Sequence, residues 1–115
     1  MRATEAAVGV RAAVLLLLAE APEHGYDLLP KIRERIGTNF NGAGMYRALH
    51  KLEDEGLVES SWEDSPGRGP ERRYYDITDA GLVELDVHAD HLKSSARLIR
   101  AFLRRYAALP AAEPL

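Results

Sequence analysis

Residues 43–78 read AGMYRALHKLEDEGLVESSWEDSPGRGPERRYYDIT, and this stretch decides the fold. Met45, Leu49 and Leu52 recur at the i, i+4, i+7 spacing that forms one apolar stripe on a helix. Gly56 can adopt a positive φ without steric cost, so it is expected to end that helix. The stretch therefore begins with a helix whose polar face is free for a partner.

Two strand-like runs follow this helix, at residues 57–63 and 71–77. Both contain β-branched and aromatic residues, and the segment between them, SPGRGP at residues 65–70, is typical of a turn or loop. The runs predict a two-stranded hairpin with Arg68 at its tip. Trp62 and the Tyr74-Tyr75 pair are interpreted as packing residues.

The polar helix face and the basic hairpin suit double-stranded DNA, because a helix fits the major groove and arginines reach phosphates. Arg47 would read guanine or clamp a phosphate, Tyr46 would donate to a phosphate, and His50 would face a base edge. Asn41 is expected to cap the helix, whose N-terminal amides can meet a phosphate. The candidate DNA-binding residues are Asn41, Gly44, Tyr46, Arg47, His50, Lys51, Arg68, Arg72 and Arg73. The alternative is a solvated face on which Arg47 and Lys51 pair with the acidic residues 53–55.

Six short motifs occur in order between residues 24 and 81, namely HGY at 24–26, YRAL at 46–49, LEDEGLV at 52–58, SW at 61–62, RRYY at 72–75 and TDAG at 78–81. Together they resemble the signature of the PadR family of bacterial winged helix-turn-helix transcriptional regulators. The resemblance implies a dimeric regulator, usually a repressor, that binds a palindromic operator; the short form has one C-terminal dimerisation helix. Tyr46 and Arg47 match family positions that meet DNA. Ala43-Gly44, in contrast, lacks the hydroxyl that the family usually places near a phosphate.

Length and composition limit the class of protein. The chain has 115 residues, which is one domain whose core a second subunit would help to complete. It contains no cysteine, which excludes disulfides, thiolate catalysis and cysteine-ligated zinc. The longest apolar run, residues 12–19, is about half the length that crosses a bilayer, and a cytoplasmic protein is expected. The net charge is −3, but the acidic residues cluster at 53–63 and 84–90, away from the arginines of the hairpin tip.

Two helices are expected before residue 43. Residues 10–20 form a strongly apolar helix, for which a plain core role and a role in a subunit interface both stay open. A second helix begins at His24, and Pro30 requires either a late start or a kink. Residues 37–42 then form the turn of the helix-turn-helix.

A long last helix is expected after Thr78, its predicted N-cap. Its apolar residues recur at strict 3-4 spacing over more than three heptads, which is typical of helix-on-helix association. This expected dimerisation seam consists of Leu82, Leu85, Ala89, Leu92, Ala96, Ile99, Leu103 and Tyr106. The first half of the helix is acidic and the second half basic, so antiparallel or crossing copies would align opposite charges. A purely intrachain seam is the alternative.

The last helix also offers a candidate metal site. Glu84, His88 and His91 lie at i, i+4, i+7 on one stripe, a spacing that can converge on a cation, although a solvated polar stripe is the ordinary explanation. No cofactor is expected. The chain is not expected to be an enzyme, because no nucleophile, base and orienting group occur in a recognisable spacing. The alternative function is a ligand- or metal-responsive interaction module with its sensing site on this helix.

The sequence thus predicts a mainly α protein with a small β-hairpin. A winged helix-turn-helix domain is expected at residues 1–78, a C-terminal dimerisation helix at 79–108 and a disordered tail at 109–115. The predicted function is that of a sequence-specific DNA-binding transcriptional regulator, a dimeric repressor with the recognition helix in the major groove and the wing on phosphates or in the minor groove. Its expected partners are double-stranded DNA, a second copy of the chain and a small-molecule effector, with no membrane.

Overall fold

The computed structural model describes residues 8–63 and 72–111, which form four helices and three short strands. In chain order these are α1 (Val10–Glu20), β1 (Glu23–His24), α2 (Gly25–Arg35), α3 (Gly42–Asp54), β2 (Val58–Glu63), β3 (Arg72–Ile77) and α4 (Asp79–Ala107). The predicted class, mainly helical with a small sheet, is confirmed. The hairpin tip falls outside the described residues.

Helix α1 lies at the centre of the core and packs against α2, α3, α4 and β3. Its side chains are buried on almost every side, and only Leu16 among its leucines is exposed. The predicted stripe of α3, formed by Met45, Leu49 and Leu52, is fully buried. Burial of a side chain of this size contributes about 1.5–3 kcal/mol. The stripe therefore fixes the rotation of α3 and turns its opposite face to solvent.

The predicted hairpin is confirmed as β2 and β3, and a third antiparallel strand that was not predicted extends the sheet in the order β1-β3-β2. β2 and β3 pair along their whole length, from Val58 opposite Ile77 to Glu63 opposite Arg72. The additional strand, β1, pairs Glu23 with Tyr75 and His24 with Tyr74. A strand of only two residues has no alternation of its own, which is why the sequence pattern did not indicate it.

The start of α2 is fixed by the sheet rather than by Pro30. His24 has extended backbone dihedrals and pairs with β3, so the helix begins at Gly25 and Pro30 lies in its interior. Of the two alternatives, a late start or a kink, the late start is therefore excluded. A Cβ at Gly25 would lie 3.1 Å from Cε2 of the buried Tyr75 ring, so the site leaves little room for a side chain. Burial also raises the pKa of the Tyr75 phenol.

Three predicted helix ends are confirmed. The Asn41 side chain caps α3 by accepting a hydrogen bond from the Gly44 amide at 3.0 Å. Thr78 caps α4 by accepting from the Gly81 amide at 3.1 Å, and its hydroxyl donates to the Gly56 carbonyl at 2.7 Å. Gly56 has a φ of 76°, the left-handed conformation expected after a helix. Thr78 thus ties the start of α4 to the end of α3.

Helix α4 has 29 residues and is about 43 Å long at ~1.5 Å per residue. Its first half packs on α1, where Leu85 joins the core. In the second half, the seam residues Ile99, Leu103 and Tyr106 are 57%, 53% and 66% exposed. The described part of the chain therefore leaves the second half of the predicted seam uncovered. None of the helices described is both long and apolar enough to cross a bilayer.

Candidate nucleic-acid interface

The outer face of α3 presents a row of polar side chains to solvent. Tyr46, Arg47, His50 and Lys51 are all exposed, because the buried stripe on the opposite side sets the rotation of the helix. Tyr46 is 40% exposed, and its ring lies close to the start of α2, with Cε1 3.7 Å from the position of a Cβ on Gly25. The face combines a phenol, an imidazole and two cations, which are groups that donate hydrogen bonds to phosphates and base edges.

The two cations of this face form no ion pair with the acidic end of α3 among the described residues. The side chain of Glu53 hydrogen-bonds to Ser60 and Arg73, and that of Glu55 is held by Arg11. Among the residues described, no carboxylate lies within 4.0 Å of the side-chain nitrogens of Arg47 or Lys51. The alternative in which these cations pair with residues 53–55 therefore does not describe the structure.

The N-terminus of α3 is only partly available to a phosphate. The Gly44 amide already donates to the Asn41 side chain, so the predicted phosphate contact cannot use it without breaking the cap. The preceding amides, of Gly42 and Ala43, have no acceptor within the described part of the chain. Free amides at a helix N-terminus, where the helix dipole is positive, are suited to an anion.

In the wing, which is the hairpin of β2 and β3, Arg73 contacts residues of the paired strand β2 and of α3. Its Nε donates to Ser60 Oγ at 2.9 Å, its Nη2 lies 3.3 Å from Glu53 Oε2, and its Cζ lies 5.1 Å from the centre of the Trp62 ring. Trp62 is 58% exposed, so its interpretation as a packing residue is wrong, whereas Tyr75 is buried as expected. Glu53 therefore reduces the positive charge that Arg73 offers to a phosphate.

Two other predicted contacts of the wing lie beyond what the structure describes. Arg68 falls outside the described residues, and Arg72 is placed by its backbone alone, opposite Glu63 at the open end of the β2–β3 ladder. This end of the ladder leads directly to the tip. Both arginines stay predictions as DNA contacts.

Comparison with known proteins decides the family. The model of the PadR-like family of transcriptional regulators matches residues 14–87, which is more than half of the chain. The chain belongs to the PadR-like family. It is therefore a transcriptional regulator and not an enzyme, as predicted. The matched region includes α2, α3, the described wing strands and the start of α4.

Solved structures of PadR-like regulators share the fold. A PadR-like transcriptional regulator from Bacillus cereus is 25% identical with a TM-score of 0.75, and the alignment covers 88% of this chain and 96% of that one. A PadR family transcription regulator from Clostridium difficile is 23% identical with a TM-score of 0.74, covering 82% of this chain and 97% of that one. A search of the curated proteins found no significant match. The winged-helix class with a C-terminal helix is thereby confirmed.

The metal candidates of this PadR-like chain do not form a site. Both carboxylate oxygens of Glu84 accept hydrogen bonds from Arg11, and its ligand atoms do not come together with those of His88 and His91. Within the described residues, the only group of three or more acidic and histidine side chains whose ligand atoms all lie within 4.8 Å of one another consists of Glu23, His24 and Asp27. There, Glu23 is paired with Lys31. Only His91 is exposed as a solvated stripe requires, because Glu84 is engaged by Arg11 and Nε2 of His88 is buried with no hydrogen-bond partner among the described residues.

Sequence reasoning missed a side chain that makes four hydrogen bonds between the helices of this PadR-like regulator. Arg11, in the first turn of α1, bonds to Glu55 at the end of α3 and to Glu84 in α4. Hydrogen bonds from Arg11 lower the pKa of Glu55, and the two carboxylates raise the pKa of Arg11. The partners are 44 and 73 residues away in sequence, so no local pattern indicated them.

Proposed function

We propose that this regulator is a dimeric repressor that binds a palindromic operator. Each protomer places α3 in the major groove, with Arg47 on a guanine or a phosphate and Tyr46 on a phosphate. His50 and Lys51 extend the contact along the helix, and the wing reaches phosphates or the minor groove through Arg68, Arg72 and Arg73. The observation that carries the proposal is the row of exposed donors on α3 whose two cations have no carboxylate partner among the described residues.

The dimer is proposed to form through α4. The second half of the seam is apolar and more than half exposed in the single chain. The acidic first half and the basic second half of α4 favour an antiparallel or crossing arrangement of two copies, in which opposite charges align. This assigns residues 1–78 to DNA reading and residues 79–108 to dimerisation. The length of α4, about 43 Å, is sufficient to separate two recognition helices by one turn of DNA, ~34 Å.

Repression implies a means of relief, and a small-molecule effector is the proposed one. A ligand that alters the relative position of the two protomers would change the separation of the recognition helices, and thereby the operator affinity. Because the operator lies on chromosomal DNA, the regulator is proposed to act in the cytoplasm.

Arg47→Ala tests the docking of α3. We expect operator affinity to fall about 10- to 100-fold, because one charge-assisted contact to a base or phosphate is lost. Fluorescence anisotropy with a duplex selected by the wild-type protein, repeated at several salt concentrations, measures the change. If Arg47 contacts a phosphate, the slope of log K against log salt falls by about one. If it reads a guanine, discrimination at one base pair is lost instead.

Arg35→Ala is the matched control, because it removes the same charge from an exposed position in the last turn of α2, where the ion pair of Arg35 with Glu20 involves neither α3 nor α4. It should leave operator affinity within about twofold of wild type, since a charge away from the interface is largely screened. Equal losses in both variants would show a general charge effect. Unchanged affinity in Arg47→Ala would show that α3 does not dock as proposed.

A further inference from the structure

Arg11 joins the two helices on which the proposed function depends. Its Nη1 and Nη2 donate to Glu55 at 2.7 and 2.9 Å, and its Nε and Nη2 donate to Glu84 at 2.8 and 3.0 Å. Glu55 is the C-cap of α3, and Glu84 lies in the second turn of α4. One planar guanidinium, in α1, therefore holds carboxylates of α3 and α4 through four hydrogen bonds.

The geometry of this contact is more restrictive than that of a simple ion pair. Each carboxylate is bound by two nitrogens, and a bidentate arginine–carboxylate pair fixes the orientation as well as the distance of its partners. Lysine could not reproduce it, because an ammonium group is a point charge without a planar fork. The Arg11 side chain is 33% exposed, and those of Glu55 and Glu84 are 41% and 38% exposed. Ion pairs of such exposure contribute little to stability. The contact is therefore better suited to orienting the helices than to holding the fold together.

The contact is the second tether between α3 and α4. The first is Thr78, whose hydroxyl donates to the Gly56 carbonyl at the junction of the two elements. One tether at the start of a long helix fixes a pivot, and a second tether six residues further along restricts rotation about it. Because α4 is about 43 Å long, a change of a few degrees at its start would move its far end by several Å.

We propose that Arg11 is a positioning residue that sets the orientation of α3 relative to α4 and thereby the half-site spacing that the dimer accepts. The inference rests on the proposed function, in which α3 reads DNA and α4 dimerises. Two rigidly placed recognition helices accept only half-sites whose separation matches their own. With the Arg11 contact removed, the recognition helices can adopt a wider range of separations, so discrimination between spacings decreases.

The test is a set of operators in which the half-site spacing of the selected duplex is shortened or lengthened by one and by two base pairs. Wild-type protein should bind the original spacing best and lose affinity steeply on either side. In Arg11→Met, the ratio of affinities between the original and the altered spacings should fall by at least about fivefold, a typical size for coupling between sites. Arg11→Lys should resemble Arg11→Met, because it keeps the charge but not the fork.

The matched control is Arg35→Met, which breaks the 3.1 Å ion pair of Arg35 in α2 with Glu20 in α1 and involves neither α3 nor α4. It should keep the wild-type spacing profile. Thermal unfolding and the molecular mass of each variant establish that it folds and dimerises. Should Arg11→Met fail to fold, Glu84→Gln, which retains the shape of the side chain and removes its charge, takes its place with the same expectation.

A wild-type spacing profile in Arg11→Met, or an equal loss of affinity at every spacing, would overturn the positioning role. The second result would mean that Arg11 supports folding or the overall field rather than the helix geometry. Failure of the wild-type protein to bind any selected duplex would instead overturn the proposed function. The two failures are therefore distinguishable in one set of titrations.

Discussion

Gly81→Ala is expected to destabilise the fold by at least about 3 kcal/mol, at the upper end of the range for overpacked sites. A Cβ at this position would lie 2.1 Å from the Leu57 carbonyl oxygen and 2.6 Å from Ile77 Cγ1. The Leu57 oxygen belongs to the backbone and also accepts a hydrogen bond from the Thr78 amide at 3.1 Å. It therefore cannot move without breaking this hydrogen bond at the start of α4. For a domain of this size, we expect a decrease of about 10 °C or more in Tm, measured by circular dichroism at a fixed protein concentration.

Gly44→Ala is a closely matched control for this prediction. Both glycines occupy the third position of a helix, and both donate their amide to the N-cap side chain. At Gly44, however, a Cβ would meet only Arg47 and Asn41 atoms at 3.8 and 3.9 Å, which is ordinary van der Waals contact. Alanine in place of this helical glycine should leave stability unchanged or raise it by up to about 1 kcal/mol. Equal Tm values for the two variants would show that α4 does not approach the Leu57 backbone as described.

Leu103→Glu is expected to dissociate the dimer. In the single chain this side chain is 53% exposed, so the substitution should not disturb the fold of the protomer. In the proposed dimer it lies in the apolar seam, where an unpaired carboxylate is costly to bury. We expect the dimer dissociation constant, measured by analytical ultracentrifugation, to rise at least about 100-fold. Operator affinity should fall by a similar or larger factor, because the two-site attachment is lost.

Leu98→Glu introduces the same charge on the same helix but outside the seam, at a side chain that is 74% exposed. It should remain a dimer with wild-type operator affinity. The unfolding temperature of both variants should be close to that of the wild-type protein when each is measured as a monomer, at a protein concentration below its dimer dissociation constant. A Leu103→Glu variant that stays dimeric at low micromolar concentration would exclude this seam as the subunit interface, and dissociation of both variants would place the interface on a wider face of α4.

Features set by local chemistry could be predicted from the sequence. Asn41 and Thr78 cap helices because a short polar side chain can accept the amide three residues ahead, and Gly56 ends α3 because it tolerates positive φ. The apolar stripe of α3 predicted which side chains are buried. From that stripe followed the exposure of Tyr46 and Arg47, which is the basis of the candidate site.

Features that depend on residues distant in sequence could not be predicted in this way. Glu53 was assigned to an acidic cluster apart from the arginines of the hairpin tip. It nevertheless lies 3.3 Å from Arg73, twenty residues away, because β3 pairs with β2, which packs against α3. β1 exists only because β3 offers an edge to residues 23–24. The Arg11 contact joins three helices. Charge patterns along a sequence indicate which groups are present, whereas pairing between elements depends on the packing of the core.

The packing of the core determines what the exposed polar face of α3 presents to solvent. The buried stripe of α3 turns its donors outward, the Arg73 and Arg11 contacts engage two of the carboxylates that would otherwise compete for its cations, and α4 leaves the second half of its predicted seam exposed. The proposed function combines these elements, because it requires two protomers that act on one duplex. A single protomer would present one short helix to the groove, which is insufficient for sequence-specific binding at physiological salt.

The most direct test of this account is the selection of bound fragments from a random duplex library by the full-length protein. The account predicts enrichment of fragments with two inverted copies of a short half-site, with centres about one helical turn, ~10 base pairs, apart. Fragments carrying one copy should be recovered with much lower affinity. Enrichment of a solitary motif with no inverted partner, or recovery of sequences indistinguishable from the input, would contradict it.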